Sequence, residues 1–284
     1  MNEADPIAAV REEDATGEVA AIYADLRATL DLPFVNLIWR HLATIPGGLP
    51  WTWGLLKPIY LSPQLEQRAV ELRAGLRLPD VPVPEYVWES VGVGVDDRVA
   101  ISALIADYNR ANSVNILALL AALAVLGDRD DAAPRQRTGP VRAEPRAGPL
   151  RNVPRLLSLA ELPTSLLSLV RELDGLGRLG PSVAIASLYR HLGHWPAFLA
   201  LCHTALTPHH RSGALQAEQA RLITDARRIA SAELLSLRSA HAPDLAPEPR
   251  RMVLAALDDF TGLMIGRMVV MGEAMLGLLP PPSD

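Results

Sequence analysis

The chain has 284 residues, a formal net charge of −5 and a single cysteine. That length can bury one large core or two ordinary ones, the acidic balance leaves no basic footprint for nucleic acid or an anionic membrane surface, and one cysteine excludes an intrachain disulfide. Aromatic residues make up only 5% while Ala, Leu and Arg abound, a composition of strong helix formers that predicts an all-α fold. The acidic start Met1-Asn2-Glu3-Ala4-Asp5 has no apolar stretch behind it, and no apolar run reaches the roughly 18 residues that cross a bilayer. The expectation is a cytoplasmic protein without a membrane segment.

In chain order, Thr16 can cap a first helix whose Val19, Ile22, Tyr23, Leu26 and Leu30 recur at helical spacing. Pro33 is expected to open a second helix at its first turn, running from about Phe34 to Thr44 and ended by Pro46-Gly47-Gly48. Further helices are predicted from near Pro50 to Leu61 and over 64–77, before a loop carrying Pro79, Pro82 and Pro84. Val91-Gly92-Val93-Gly94-Val95 lacks the third glycine and the preceding strand of a nucleotide-binding loop. A long helix is predicted from Asp96 to Leu126, with Asn109 and Asn112 in its middle, where asparagine competes with the backbone and needs a reason. Prolines alternating with arginines over 128–155 exclude helix and sheet and predict an extended linker. Beyond it, helices are expected over Thr164–Leu176, around 184–192 with Pro196 as their stop, over Ala214–Ser239 and over Arg251–Leu279, with a disordered tail from Pro280.

One motif occurs twice. Ile38-Trp39-Arg40-His41-Leu42 aligns with Leu188-Tyr189-Arg190-His191-Leu192, and Pro46 with Pro196, at a constant offset of 150 residues (188 − 38) without a gap. Asp259-Phe260-Thr261 likewise echoes Asp107-Tyr108-Asn109. The organisation predicted is a pseudo-dimer: a first repeat over 1–127, a linker over 128–155 and a second repeat over 156–284, enclosing one pocket between them.

Ala15-Thr16-Gly17-Glu18, Tyr23-Ala24-Asp25-Leu26-Arg27, Leu42-Ala43-Thr44-Ile45-Pro46-Gly47 and Asn109-Arg110-Ala111-Asn112 resemble the group I 2-haloacid dehalogenases. The resemblance implies an all-helical fold of two repeats, in which water attacks the halogen-bearing carbon directly. It also implies that an aspartate just after a serine in the second motif helix activates this water, and that an asparagine of the first repeat helps to hold it. Ser187 and Asn112 match the serine and the asparagine, Leu188 stands at the aspartate position, and Phe34 replaces a pocket tryptophan. Leucine cannot accept a proton, so the family's base step is missing as written.

The candidate catalytic residues are therefore His191, Asn112 and Ser187, with Phe34, Leu37, Ile38, Asn109, Ala184 and Leu188 as substrate-binding candidates. His191 follows Ser187 by one turn and could replace the base, or, as the repeat partner of His41, make a structural hydrogen bond. Arg40 and Arg190 could bind an anion or form a surface or inter-repeat salt bridge. His191, His194 and His203 come without a carboxylate, so no metal and no cofactor are expected; Cys202 reads as core and His209-His210 as a polar loop. Three functions stay open: an enzyme of a biosynthetic pathway that closes a ring by intramolecular displacement of a leaving group, a non-catalytic ligand-binding or accessory subunit, or a hydrolytic dehalogenase using His191. The partner expected is a small molecule, with a partner protein or a homodimer also open.

Overall fold

The computed structural model describes residues 7–78, 82–127, 153–181, 185–239 and 244–280. Every regular element among them is a helix, and none is long and apolar enough to cross a membrane. The first part of the chain contributes α1 (Gly17–Leu30), α2 (Leu37–Leu42), α3 (Gly48–Tyr60), α4 (Pro63–Ala74), α5 (Glu85–Ser90) and α6 (Val95–Gly127). The second contributes α7 (Thr164–Gly175), α8 (Ser187–Leu192), α9 (Pro196–Arg211), α10 (Ala214–Ile229), α11 (Pro247–Asp259) and α12 (Gly266–Leu276).

Helix α6 is the axis of the molecule. Its 33 residues span about 50 Å at 1.5 Å per residue, and α3, α4, α8, α10, α11 and α12 all pack on it. Ile101, Ile105, Ile116, Leu117, Ala118 and Leu119 are fully buried along it. A helix covered on all sides carries apolar residues all round rather than on one stripe.

Both motif helices are six residues long, and each starts after an extended residue, Asn36 for α2 and Ala186 for α8. Helix α2 thus opens three residues later than Pro33 suggests. The reason lies outside the helix: the Val35 N–H donates to Glu12 Oε1 at 2.7 Å, which holds the approach extended. The Ala186 N–H is held in the same manner by Asp174 Oδ1 at 3.0 Å.

The stop assigned to Pro196 is corrected by the structure. Pro196 is the first residue of α9, where a missing N–H costs nothing and the fixed φ favours a helix start. His209 and His210 consequently lie in the last turn of α9, not in a loop. The predicted unbroken helices over 214–239 and 251–279 are interrupted by π-helical turns at Ala230–Leu234 and Phe260–Ile265, where one widened turn shifts the face presented beyond it. The short helix α5 was not expected after the proline loop. Most of the 128–155 linker, the tail from Pro281 and the candidate Ala184 lie outside the described residues.

Where α12 crosses α6 the helices meet through Gly272. A Cβ there would fall 1.8 Å from Asn109 Oδ1 and 2.5 Å from its Cγ, so the buried amide of Asn109 fills the space a side chain would need. Gly272→Ala is expected to lower unfolding free energy by about 1–3 kcal/mol, the cost of overpacking a filled core. Urea denaturation should show a smaller loss in an Asn109→Ala background, since that substitution empties the contested space.

Candidate functional site

A small cavity lies between the two parts of the chain, lined by Asn36, Leu37, Ile38, Tyr108 and Asn112 from the first and by Ala186, Ser187, Leu188, Phe260, Met264, Ile265 and Met268 from the second. Its volume is about 30 Å³; one water needs roughly 10–15 Å³, so the space suits the reacting end of a small organic molecule. The wall residues correspond in pairs. Asn36 with Ala186, Leu37 with Ser187 and Ile38 with Leu188 stand 150 apart (186 − 36), while Tyr108 with Phe260 and Asn112 with Met264 stand 152 apart (260 − 108).

The elements explain why these side chains meet. The first turns of α2 and α8 supply the first three pairs, α6 supplies Tyr108 and Asn112, and the π-helical turn presents Phe260, Met264 and Ile265. Each motif helix also reaches the long helix of the other part. His191 of α8 meets the Tyr108 ring with centroids 5.7 Å apart, and His41 of α2 stacks on Phe260 at the same separation.

Of the candidates read from the sequence, Asn112, Ser187, Leu37, Ile38 and Leu188 line the cavity. Phe34 stands behind the wall, stacked on Tyr108 at 4.3 Å, and Asn109 points away toward Gly272 of α12. His191 is not a lining residue either; its Nδ1 is hydrogen-bonded to the Tyr108 hydroxyl at 2.8 Å. Tyr108, Asn36, Phe260 and the methionines were missed as site residues, although the echo of Asp107-Tyr108-Asn109 in Asp259-Phe260-Thr261 carried the signal for two of them.

Charge around the cavity is mainly positive, with Glu12 the carboxylate that acts on Tyr108. No Asp or Glu lines it among the described residues, while Arg40 and Arg190, buried at 6% and 5% exposure, stand close by. Arg40 Nη2 donates to Ser187 Oγ at 3.1 Å across the two parts, in place of the salt bridge the sequence suggested. Arg190 Nε donates to the Leu157 carbonyl at 2.7 Å. Burial first, and then the positive fields of His194, Arg190 and Arg40, bring the His191 pKa down to about 4. Burial raises the Tyr108 hydroxyl well above its ordinary value. At neutral pH the pair is thus an uncharged imidazole holding an uncharged phenol.

Asp174, fully buried, supports the wall from behind. It accepts from Arg267 at 3.0 Å, from Arg178 and from the Ala186 N–H, fixing the backbone that leads into Ser187 and Leu188. On α6, Asn115 Oδ1 accepts from Tyr60 Oη at 2.7 Å and from Trp39 Nε1 at 3.3 Å, a role in the core rather than in the cavity. No group of His, Cys, Asp and Glu suited to a metal occurs among the described residues. Cys202 is fully buried in α9, with its thiol pushed up by burial.

No family model matches the chain. It is 27% identical over 219 residues to a configuration-inverting 2-haloacid dehalogenase of Alcaligenes xylosoxydans xylosoxydans, an alignment spanning 76% of this chain and 74% of that protein. A shorter alignment of 71 residues, 25% of this chain and 24% of the other, is 37% identical to an (R)-2-haloacid dehalogenase of Pseudomonas putida. Among solved structures, a D-2-haloacid dehalogenase mutant in complex with D-2-CPA superposes with a TM-score of 0.73, covering 96% of each chain at 18% identity. The same type of enzyme in complex with L-LA gives 0.72 at the same coverage and identity.

The lowered His191 pKa has a consequence for stability. In the unfolded chain this histidine takes up a proton near pH 6.5, whereas in the fold it does so only near 4, so the unfolded state binds more protons between those values. The contribution is complete above about 6.5 and is lost as pH falls toward 4, by about 3 kcal/mol at roughly 1.4 kcal/mol per unit. His191→Gln should remove this dependence, visible as a flatter acid limb in denaturant unfolding measured from pH 7 to 4.

Proposed function

From a chain with the fold of the 2-haloacid dehalogenases and a sequence that resembles theirs, we propose an enzyme that handles a small molecule bearing a leaving group on an sp3 carbon without activating water. The observation that carries this reading is Leu188, 1% exposed in the cavity wall beside Ser187 with no carboxylate among the lining residues described. Displacement needs a nucleophile, and a cavity without a carboxylate base is suited to one carried by the substrate itself. Holding that nucleophile against the carbon and keeping water out can then supply much of the rate.

The five residue pairs of the wall support a further part of the proposal, that the cavity is the seam of a duplicated helical unit. Asn112 and Tyr108 are the neutral polar groups that α6 offers to a ligand. His191 acts on this reading through Tyr108, as a positioning residue. In one tautomer its Nδ1 accepts the phenol proton; in the other Nδ1–H donates to the phenol oxygen and leaves that proton for the cavity.

A second reading is a ligand-binding or accessory subunit, favoured by the same leucine filling the wall. The third, hydrolysis with His191 as base, draws less support because His191 does not line the cavity.

Leu188→Asp tests the assignment. The new carboxylate would stand between Ser187 and Asn112, and a positioned base contributes about 10²-fold or more. Halide release from 2-chloropropionate by the variant, with none from the parent, is the expected result; release by the parent would establish the hydrolytic reading instead. Asn112→Ala should weaken ligand binding by about 0.5–1.5 kcal/mol, the value of one neutral hydrogen bond, as read by calorimetry.

A further inference from the structure

Of the twelve residues that line the cavity, eleven are buried and the exception is Leu37, the first residue of α2. The wall therefore comes nearest to solvent on the α2 side. A space of about 30 Å³ behind such a wall takes in an organic molecule only when part of the wall moves.

The two halves of the wall are fastened differently. The Ala186 N–H, leading into α8, is tied to Asp174, which is fully buried and held in turn by Arg267, and every residue of α8 is buried. The lead-in to α2 is tied instead to Glu12, whose side chain is 27% exposed. Glu12 Oε1 accepts from the Val35 N–H at 2.7 Å, and its Oε2 accepts from Arg27 Nη1 at 2.7 Å. Glu12 stands on a strap, residues 7–15, in which no residue is buried. The Val10 N–H donates to the Arg40 carbonyl at 3.0 Å, His41 Nδ1 is hydrogen-bonded to the Ala8 carbonyl at 2.8 Å, and the Tyr23 hydroxyl donates to the Val10 carbonyl at 3.1 Å. A segment held by a few hydrogen bonds, with no buried side chain of its own, opens at lower free energy than the core.

The fixed point on the far side is Trp39, which has no exposure and donates from Nε1 to Asn115 Oδ1. Between it and Glu12's anchor at Val35 lies Asn36, whose Oδ1 is buried without a partner. An orphaned acceptor that reaches water on opening lowers the cost of the open state.

We propose that Glu12 is a latch on the cavity: release of its carboxylate from the Val35 N–H lets residues 35–37 swing outward about Trp39 and admit the ligand, while the α8 half of the wall stays fixed. This rests on the cavity being the ligand site, as the proposed function has it, and adds how that site is entered.

The test is thiol access in the full chain. Met264→Cys puts a thiol in the wall, and methyl methanethiosulfonate is a small reagent that reports entry; Cys202 is fully buried, and the parent gives the background. Glu12→Ala, which removes the acceptor, should speed labelling of the Met264→Cys protein roughly tenfold, the factor that one hydrogen bond is worth in an opening equilibrium. Glu12→Gln keeps an oxygen for the Val35 N–H and should give a smaller rise. Asp25→Ala removes another partly exposed carboxylate, one bonded to Trp53 and Lys57 and not part of the wall, and should leave labelling unchanged. Hydrogen exchange is the second readout: residues 34–38 should exchange faster in Glu12→Ala, with 186–190 unchanged. Labelling that Glu12→Ala does not speed, an equal rise from Asp25→Ala, or exchange quickened on both sides would each overturn the latch. Neither readout involves chemistry on a ligand, so failure here leaves the displacement reading standing, and absence of halide release by Leu188→Asp leaves the latch standing.

Discussion

The fold depends on the burial of α6. Much of this 33-residue helix is surrounded by other helices, and each polar group on its buried length must find a partner inside the protein or lose about 1–3 kcal/mol. Ser113 returns its hydroxyl to the Asn109 carbonyl, and Asn115 gathers Trp39 and Tyr60. Tyr108 takes the imidazole of His191 from the other part of the chain. Asn112 faces the cavity. The order along one helix therefore sets a hydrogen-bonded cluster around Asn115 Oδ1 apart from a cavity near Tyr108 and Asn112.

That division decides what electrostatics the cavity can offer. Leucine at position 188 leaves the wall without a carboxylate, while the Arg40 guanidinium stands behind Ser187. A buried cation beside a small cavity attracts an anionic group strongly, because the dielectric that would screen it in water is absent. The neighbouring histidine adds no positive charge at neutral pH, since burial and the arginines keep it unprotonated. On the proposed reading, the cavity offers water no carboxylate base.

Much of this was legible in the sequence, for identifiable reasons. The offset of 150 residues marked both motif helices because a repeated string of residues needs no structural interpretation to be recognised, and the apolar run from Asn115 onward marked that part of α6 as buried. Proline was misread twice: Pro196 opens a helix and Pro33 opens none, and at Pro33 the reason is a hydrogen bond from the Val35 N–H to Glu12 that sequence spacing does not display. The π-helical turn at Phe260–Ile265 has no sequence signature of its own, so Phe260, Met264 and Ile265 could not be aimed at the cavity in advance. Asn36 stands two residues before the repeated motif, yet only the fold reveals that its amide oxygen is buried and unpartnered.

On the duplication reading, the pairs lining the cavity also explain how a symmetric scaffold can hold an asymmetric ligand. Four of the five pairs combine a polar member with an apolar one: Asn36 with Ala186, Ser187 with Leu37, Tyr108 with Phe260, and Asn112 with Met264. Each polar group thus has its counterpart replaced by a group that cannot bind the same atom, and a ligand turned through the pseudo-twofold would lose all four contacts. Such one-sided losses discriminate between orientations more strongly than added apolar contact does, because each leaves a buried polar group unpaired. The remaining pair, Ile38 with Leu188, is apolar on both sides. Where the resemblance implies an aspartate, the chain carries Leu188, so on this reading the polar groups of the wall belong to the other four pairs.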